Sequence, residues 1–307
     1  MRRFFVAATW LCLAAPAFGQ TYGNCGQTWA VAQPPQRIVA LNQHSADTLL
    51  SLGAGDLLAG VAYIDDDGAA IEHGAYRAIP VISRLYPSAE VLYSQHADLV
   101  VGGFASAFDN NLTSRATLGA NGIASYLMES ACDGRSLDFF GHIRNDLRTL
   151  GALVRQPERA KQLIARLDAD LAGARALHDE SRVLSVFYLD SEVNGLHSVG
   201  TRGFITALLA AAGGRNSFAD VDIPRLNVSN EVLLMNDPDV ILLADAVWSP
   251  ASRKRHLLQT DPLLSRLRAV RENRLIDIPF AHLVPTPASG AVALDLAKRF
   301  KAMAGKR

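Results

Sequence analysis

Two glutamates, Glu90 and Glu231, have surroundings that repeat along the chain. Each precedes two apolar residues and lies eight positions before an aspartate, Asp98 or Asp239, that opens an apolar run. A carboxylate in such a position can bind an arginine through two parallel hydrogen bonds. In the first turn of a helix it also favours the helix dipole by about 0.3–1 kcal/mol wherever it points. The repeat alone leaves both explanations open.

Sequence motifs of common enzymes are absent. The chain contains no Gly-x-Ser-x-Gly, no phosphate-binding Gly-x-x-x-x-Gly-Lys-Ser/Thr and no His-Glu-x-x-His pattern. Its eight histidines are scattered, whereas sites for a bare metal ion are usually built from clustered histidines and carboxylates. We therefore predict a binding protein that is not an enzyme and that has neither a cofactor nor a protein-held metal.

Several aromatic residues lie where strands are expected to end, which makes them candidates for ligand contacts. Open α/β sheets bind ligands beyond the carboxyl ends of their strands, and flat rings cover the surface of bulky, partly apolar ligands. Core packing is the alternative for each ring. His282 is a further candidate, alone or in a heme-binding pair with one of the tyrosines, and a solvated or structural role is its alternative. The aromatic candidates are Tyr63, Phe104, Tyr188 and Trp248.

Strand and helix patterns alternate on both sides of a long helical segment. Aliphatic runs without alternation, following helices, are typical of parallel strands that are covered on both faces. The fold class is therefore α/β, with two Rossmann-like lobes and a ligand cleft between them. We predict strands at 37–41, 58–62, 79–82, 99–101, 123–127, 183–189, 240–244 and 275–278, and helices at 46–52, from 88, at 204–212, around 231 and from about 288.

Leucines at helical spacing dominate the middle of the chain, from Leu137 to about His178. Only Pro157 interrupts them, and proline is tolerated in the first turn of a new helix. We expect one long helix, or two end to end, to join the lobes and to confine them to small relative movements. The cleft would then be largely preformed. The predicted organisation is a signal peptide at 1–19, an N-terminal lobe at 20–144, an interlobe helix at 145–178 and a C-terminal lobe at 179–307.

The first residues have the features of a secretory signal. Arg2 and Arg3 precede an apolar segment, and small residues suit cleavage near Gly19/Gln20. The segment is too short to span a bilayer. The sequence therefore predicts export to the periplasm.

Two cysteines, Cys25 and Cys132, remain after removal of the predicted signal peptide. In an oxidising compartment, two thiols are expected to pair. We predict a disulfide that ties the mature N-terminus to the first lobe. Two unpaired, buried thiols are the alternative, because the sequence does not report their separation.

The charge balance excludes one class of partner. The full chain has 30 basic and 30 acidic residues, and removal of Arg2 and Arg3 leaves 28 basic residues. Proteins that bind nucleic acids have a basic excess clustered on one face. A nucleic acid is therefore not expected as a partner.

Short motifs that carry a family resemblance lie in both halves of the chain. In the first half they are Pro-Gln-Arg-Ile-Val-Ala-Leu from Pro35, Thr-Leu-Leu-Ser-Leu-Gly from Thr48, Pro-Ser-Ala-Glu from Pro87 and Ala-Asp at 97–98. In the second half they are Gly-Gly-Arg-Asn from Gly213, Val-Ser-Asn-Glu from Val228 and Pro-Asp at 238–239. Their order and spacing, with the long middle helix, resemble the periplasmic substrate-binding proteins of siderophore and cobalamin ABC importers.

This resemblance implies roles for four charged residues. Glu90 and Glu231 match the glutamates that dock on arginine-lined sockets of a dimeric permease in the inner membrane. Arg84 matches an arginine that reaches the ligand, and Arg225 lies where the family often has an aromatic pocket residue. Two guanidinium groups in one cleft favour an anionic ligand, such as a ferric siderophore carrying carboxylates, hydroxamates or catecholates. A surface salt bridge is the alternative for each arginine.

The resulting hypothesis is a monomeric periplasmic protein that captures a ferric siderophore and delivers it to an ABC permease. A corrinoid is the alternative ligand, because the scaffold and docking residues are shared and discrimination lies in the pocket loops. A periplasmic chaperone that removes metal from the chelate without feeding a permease is a third hypothesis. It would make Glu90 and Glu231 dispensable.

Overall fold

Two parallel β-sheets with helices on both faces form the lobes of the protein. The computed structural model describes residues 19–65, 74–109 and 113–305, so most of the predicted signal peptide lies outside the described residues. The strands are β1 (Gln20–Asn24), β2 (Gln27–Val31), β3 (Ile38–Leu41), β4 (Leu58–Ala62), β5 (Val81–Ser83), β6 (Leu99–Gly102), β7 (Ala124–Leu127), β8 (Leu184–Leu189), β9 (Leu196–Ser198), β10 (Gly214–Asn216), β11 (Leu226–Val228), β12 (Val240–Asp245) and β13 (Leu275–Pro279). The α-helices are α1 (Gln43–Ser51), α2 (Ala89–Ser94), α3 (Arg115–Ala120), α4 (Phe139–Leu153), α5 (Pro157–Arg175), α6 (Phe204–Ala211), α7 (Asn230–Asn236), α8 (Ala251–Thr260), α9 (Arg268–Arg271) and α10 (Ser289–Ala304).

The first sheet has the strand order β5-β4-β3-β6-β7 and the second has the order β10-β8-β12-β13. All neighbouring strands in both sheets are parallel. Each sheet lies between two hydrophobic clusters, which is why its strands read as continuous aliphatic runs. The predicted α/β class is confirmed, and every predicted strand is present with bounds within two residues.

Some elements were not predicted from the sequence. They are the hairpin of β1 and β2, the antiparallel pair of β9 and β11, the edge strand β10, and the helices α3, α8 and α9. Most are short or amphipathic only weakly, so periodicity does not reveal them. In the described ranges, no helix combines the length and apolar composition that a membrane crossing needs.

The segment between the lobes forms two antiparallel helices, α4 and α5. Near the start of α4, Arg144 pairs with Asp168 late in α5 at 2.6 Å. Near the end of α4, a Cβ atom added at Gly151 would lie 2.6 Å from the Cβ of Ala160 in the first turns of α5. The two helices therefore fold back on each other. The predicted long helix between the lobes is present as α5, but the whole segment is neither one continuous helix nor two helices end to end, because α4 folds back on α5.

Helix α5 joins the two lobes. Ala160 and Leu167 pack into the core of the first lobe, and Ala174 packs into the core of the second. Its 19 residues span about 28 Å. The terminal helix α10 lies so close that a Cβ atom at Gly290 would be 2.8 Å from the carbonyl oxygen of Leu167. Because α5 is part of both cores, it sets the position of one sheet relative to the other.

The repeated aspartates tie neighbouring strands together in both lobes. The carboxylate of Asp98, just before β6, accepts hydrogen bonds from the backbone N–H groups of Gln36 (2.7 Å) and Arg37 (3.1 Å), just before β3. The carboxylate of Asp239, just before β12, accepts from the backbone N–H (3.0 Å) and hydroxyl (2.9 Å) of Ser185 in β8. The spacing repeat of the sequence thus has a structural basis in aligning adjacent strands.

The hairpin of β1 and β2 is fastened to the edge strand β7. The side chain of Asn24 accepts a hydrogen bond from the backbone N–H of Leu127 (2.9 Å) and donates one to its carbonyl oxygen (2.8 Å). Cys25, in the hairpin turn, forms a disulfide with Cys132 across a sequence separation of 107 residues. The predicted disulfide is confirmed.

We expect replacement of both cysteines (Cys25→Ser with Cys132→Ser) to lower the free energy of unfolding by about 3–5 kcal/mol, because the unfolded chain regains the entropy of a long closed loop. Urea unfolding of the oxidised protein, the reduced protein and the double variant measures this change. The reduced protein should match the variant. Equal unfolding midpoints for the oxidised and reduced protein would contradict the expectation.

Asp146 is buried in α4, where this helix meets the segment after β7. Its Oδ1 atom accepts hydrogen bonds from the Tyr126 hydroxyl (2.8 Å) and from the backbone N–H of Glu129 (3.0 Å). Burial raises the pKa of Asp146 to about 8, although these two hydrogen bonds oppose the shift. The folded protein therefore holds a proton on this carboxyl group at neutral pH.

The buried proton makes stability depend on pH. In the unfolded chain Asp146 loses its proton near pH 4, but in the folded protein it does so only near pH 8. Its contribution to stability is therefore fully present below about pH 4 and is lost as pH rises through about 8. We expect the free energy of unfolding to fall more steeply between about pH 5 and pH 8 in the wild type than in Asp146→Asn, measured by urea denaturation. Parallel pH profiles would show that the carboxyl group is ionised in the folded state.

Candidate functional site

The carboxyl ends of the strands in both sheets open on one cleft between the lobes. Its volume is about 1100 Å³. This is where open α/β sheets bind ligands. The lining residues that follow or end a strand are Tyr63 and Asp65 after β4, Leu85 and Tyr86 after β5, Phe104 after β6, Ser130 and Ala131 after β7, Tyr188 and Asp190 at the end of β8, Trp248 after β12 and Phe280 after β13.

The wall formed by the first lobe is aromatic and is organised by Asn42. The rings of Tyr63 and Tyr86 meet edge to face with centroids 4.9 Å apart. Asn42, buried at the end of β3, accepts hydrogen bonds on Oδ1 from the Tyr86 hydroxyl (3.1 Å) and from the backbone N–H of Phe104 (3.3 Å). One polar side chain thus fixes two of the aromatic residues that line the cleft.

The wall formed by the second lobe contains Tyr188, Trp248 and Phe280. The buried Tyr188 hydroxyl donates to Asp190 Oδ1 at 2.7 Å. Burial raises the pKa of Tyr188 well above its usual value, and the negative charge of Asp190 adds to this shift. The rings of Trp248 and Phe280 meet edge to face at 4.8 Å. This wall presents flat apolar surface next to a hydroxyl that stays protonated.

Arg135 lies in the cleft where the two lobes meet. Its guanidinium group donates to the backbone carbonyl oxygen of Arg202 in the second lobe (3.3 Å) and lies 5.1 Å from the ring centre of Phe139. Its Nε atom is buried and has no hydrogen-bond partner among the described residues. Burial lowers the pKa of Arg135, and the positive charge of Arg202 lowers it further. Its guanidinium therefore retains an unused donor.

The other two arginines of the cleft differ in their pairing. Arg202 forms two parallel hydrogen bonds with Asp222 (2.8 and 3.0 Å), so its charge is neutralised. Arg225 is exposed, and it forms no ion pair within the part of the chain that the structure describes. Arg135 and Arg225 are therefore the cleft arginines that have no carboxylate partner in the described ranges, and the cleft also contains Asp65, Asp109 and Asp190, the last of which accepts the hydroxyl hydrogen bond of Tyr188.

Five of the seven predicted ligand contacts line this cleft: Tyr63, Phe104, Tyr188, Arg225 and Trp248. Arg84 does not line the cleft: it lies in the bent segment after β5, where the next two residues, Leu85 and Tyr86, line the cleft instead. His282 lines a separate cavity of about 500 Å³ beside α1. A heme-binding pair of a cleft tyrosine with His282 is therefore not assembled. No group of three or more His, Cys, Asp or Glu side chains in the described ranges is arranged to hold a metal ion.

Sequence reasoning missed several residues that line the cleft or hold its lining residues in place. Asn42, Tyr86 and Phe280 directly follow strands or lie within three residues of a strand end, so the carboxyl-end rule could have found them. Arg135 lies between β7 and α4 and Arg202 lies between β9 and α6, in connections with no periodic pattern. Only the tertiary structure brings these two arginines together.

Glu90 and Glu231 occupy equivalent places on the two lobes. Each lies in the first turn of a short helix, and a serine caps that helix by accepting a backbone hydrogen bond at 3.3 Å: Ser88 for α2 and Ser229 for α7. Hydrogen bonds from backbone N–H and from Ser229 lower the pKa of Glu231. Both glutamates are exposed, and in the described ranges neither forms an ion pair. Both carboxylates are therefore available to an external cation.

Similarity to known proteins agrees with this architecture. A family model described as periplasmic binding protein matches residues 38–281. The vitamin B12-binding protein of Salmonella typhimurium is 29% identical over 219 residues, which are 70% of this chain and 74% of that protein. A structure described as an ABC-type Fe3+-hydroxamate transport system from Saccharomonospora viridis has a TM-score of 0.75 at 27% identity, covering 92% of this chain and 99% of that one. A periplasmic heme-binding protein from Roseiflexus sp. RS-1 has a TM-score of 0.72 at 27% identity, covering 88% and 99%.

The family match extends over most of the chain and includes both sheets. Proteins of this family are substrate-binding proteins of ABC importers and not enzymes. By its sequence, its two-lobed fold and its cleft, the chain belongs to the periplasmic binding protein family.

Proposed function

We propose that this protein captures a ferric siderophore in the cleft and delivers it, in the periplasm, to an ABC permease of the inner membrane. The observation that carries the proposal is the combination of unpaired guanidinium groups with aromatic walls in one cleft. The aromatic surface suits the apolar periphery of a chelate. The guanidinium groups suit anionic oxygens.

Arg135 and Arg225 supply the positive charge. Arg135 approaches from the junction of the lobes, and Arg225 belongs to the loop before β11 in the second lobe. Carboxylate, hydroxamate and catecholate oxygens carry negative charge and accept the forked hydrogen bonds of a guanidinium. Arg135 retains a buried, unused Nε donor. A ligand oxygen would satisfy this donor.

The size of the cleft fits a bulky ligand. Its volume of about 1100 Å³ is at the upper end of the common range for small-molecule sites, roughly 300–1000 Å³. In a ferric siderophore the chelator already surrounds the metal. The protein then needs to recognise only the outer surface of the chelate, with no side chain bound to iron.

A corrinoid is the second candidate ligand. The similarity to the vitamin B12-binding protein of Salmonella typhimurium favours it, and aromatic walls also suit the face of a corrin. Cobalamin carries a phosphodiester in its nucleotide loop, which the same arginines would bind. Comparing cobalamin with cobinamide, which lacks that loop, tests whether the arginines recognise the phosphodiester of a bound corrinoid.

Delivery to the permease would use Glu90 and Glu231. They are exposed on different lobes, and each begins a helix capped by serine. Arginines of a membrane partner could bind both carboxylates at once, and complementary charge increases the rate of encounter. The uncompensated charge of the two glutamates supports this role.

We expect Arg135→Met and Arg225→Met each to weaken binding of an anionic ferric tris-catecholate complex by about 10-fold, because each removes a charge-assisted hydrogen bond. Binding of a neutral ferric tris-hydroxamate complex should change less. Quenching of the intrinsic fluorescence of Trp248 during titration measures both affinities.

The double variant Arg202→Met with Asp222→Asn is the matched control. It removes an arginine from the same cleft together with its partner, so the net charge of the protein is unchanged. Its affinity should stay close to that of the wild type. Saturable binding of cyanocobalamin, with no binding of any ferric complex, would replace the siderophore proposal with the corrinoid one.

We expect Glu90→Gln with Glu231→Gln to abolish uptake of the bound chelate by cells while its dissociation constant changes less than about twofold, because both residues lie outside the cleft. Uptake of radioactive iron in cells that depend on this protein measures transport, and fluorescence titration measures affinity.

Glu158→Gln with Glu272→Gln is the control for this pair. These glutamates are also on the surface, but each already has a cationic partner, Lys161 at 2.7 Å and Arg274 at 2.9 Å. Uptake should persist in the control. Normal uptake in Glu90→Gln with Glu231→Gln would rule out docking and favour a periplasmic chaperone.

A further inference from the structure

We propose that Glu192, Arg253 and Lys254 form a polar clamp that fixes the turn carrying Trp248, so that this ring is part of the cleft wall before any ligand arrives. The three residues are positioning residues and do not line the cleft themselves. The inference about affinity rests on the proposed function of the cleft. The inference about the position of Trp248 does not depend on it.

Few backbone hydrogen bonds stabilise the turn between β12 and α8. Only one antiparallel bridge closes it, with Ala246 N–H donating to Ser249 O (3.3 Å) and Ser249 N–H donating to Ala246 O (3.0 Å). Val247 and Trp248 at its tip are 60% and 47% exposed. A short exposed turn that carries large apolar side chains requires other contacts to stay in one conformation.

Lys254 provides the first of these contacts from beneath the turn. It lies in α8 and its side chain is fully buried. Its ammonium group donates to the carbonyl oxygen of Ala244 at 2.6 Å and to that of Ser249 at 2.5 Å. One side chain thus connects the last part of β12 with the end of the turn. A buried ammonium group is costly unless it is hydrogen-bonded and paired, and here both carbonyl partners belong to the segment that it holds.

Glu192 and Arg253 hold the turn from the other side. The hydroxyl of Ser249 donates to Glu192 Oε2 at 2.6 Å. Arg253 forms an ion pair with the other oxygen of Glu192 and donates to the backbone carbonyl oxygen of Trp248 at 3.2 Å. The backbone of Trp248 and the side chain of the next residue are therefore bonded to the same ion pair.

The local charges support a buried ammonium group at this position. Burial lowers the pKa of Lys254, while the negative charges of Glu192, Asp190 and Asp245 oppose that shift. Asp190 also accepts the hydroxyl hydrogen bond of Tyr188 at the cleft. Asp190 thus interacts both with the ammonium group of Lys254 and with the hydroxyl of Tyr188 in the cleft wall.

The side chain of Trp248 is fixed by packing on Phe280, with the ring centres 4.8 Å apart. The clamp on the backbone and the contact with Phe280 together restrict the motion of the indole ring. A ligand that stacks on a preformed ring does not have to order the loop and the ring on binding, which improves affinity. Loss of the clamp should therefore free Trp248 and weaken ligand binding.

The test uses Trp10→Phe with Trp29→Phe as its parent, in which Trp248 is the single tryptophan. Lys254→Met should raise the acrylamide quenching constant of the ligand-free protein about twofold and lower the fluorescence anisotropy of Trp248. It should weaken binding of the ferric tris-catecholate complex about 10-fold. Because Lys254 is buried, Arg253→Met at a half-exposed site serves as a second variant that does not threaten folding. Arg253→Lys should restore part of the change.

Arg255→Met is the matched control, because Arg255 lies on the same helix but pairs with Asp277 at 2.6 Å. Its quenching constant should equal that of the parent. Unchanged quenching and anisotropy in both Lys254→Met and Arg253→Met would overturn the clamp. If the parent binds no ferric complex, the proposed function fails while the ligand-free measurement still decides whether the clamp positions Trp248.

Discussion

The cleft depends on one packing interaction: helix α5 is part of the hydrophobic cores of both lobes. Leu167 belongs to the first core and Ala174 to the second. Helix α10 also packs closely against α5 at Gly290. Because α5 is rigid, the carboxyl edges of the two parallel sheets face each other at a set separation. Most aromatic residues of the cleft then lie at or just after a strand end, whereas its arginines lie in connecting segments. The aromatic walls are a consequence of which residues the sequence places at those ends.

The charge that the cleft presents to a ligand depends on which of its arginines form ion pairs with carboxylates. Three arginines and three aspartates line it, so counting charges predicts no preference. A guanidinium held by a carboxylate presents little field to a ligand, and Arg202 is held in this way by Asp222. Arg135 and Arg225 are left as the available cations, one at the lobe junction and one in the second lobe. Two guanidinium groups on different elements suit a ligand that carries several anionic oxygens around a metal.

The sequence predicted the fold well because parallel strands buried on both faces leave a strong, local apolar signal. Four aromatic residues line the cleft as the carboxyl-end rule predicted, since that rule needs only strand bounds, and Arg225, proposed from the family resemblance, lines it too. Contact of these residues with a ligand stays a prediction. Prediction from the sequence failed where position depends on tertiary packing. Arg84 and Leu85 are adjacent in sequence, yet only Leu85 lines the cleft. The fold-back of α4 on α5 depends on the contact of Gly151 with Ala160, and the clamp around Lys254 joins residues more than fifty positions apart. The periodicity of apolar residues along a helix predicts neither of these two sets of contacts.

A preformed cleft determines how binding can be communicated to a permease. If α5 confines the lobes to small movements, as its packing in both cores predicts, a ligand would change the spacing of Glu90 and Glu231 only slightly in the proposed function. A partner that binds both carboxylates at once nevertheless imposes its own spacing on the lobes. If that spacing separates Arg135 from the second-lobe wall, the anionic ligand loses contacts and is released. By linkage, the ligand must then weaken docking by the same factor. Capture and release therefore do not require a large closure of the lobes, because the permease can supply the displacement that the ligand does not cause.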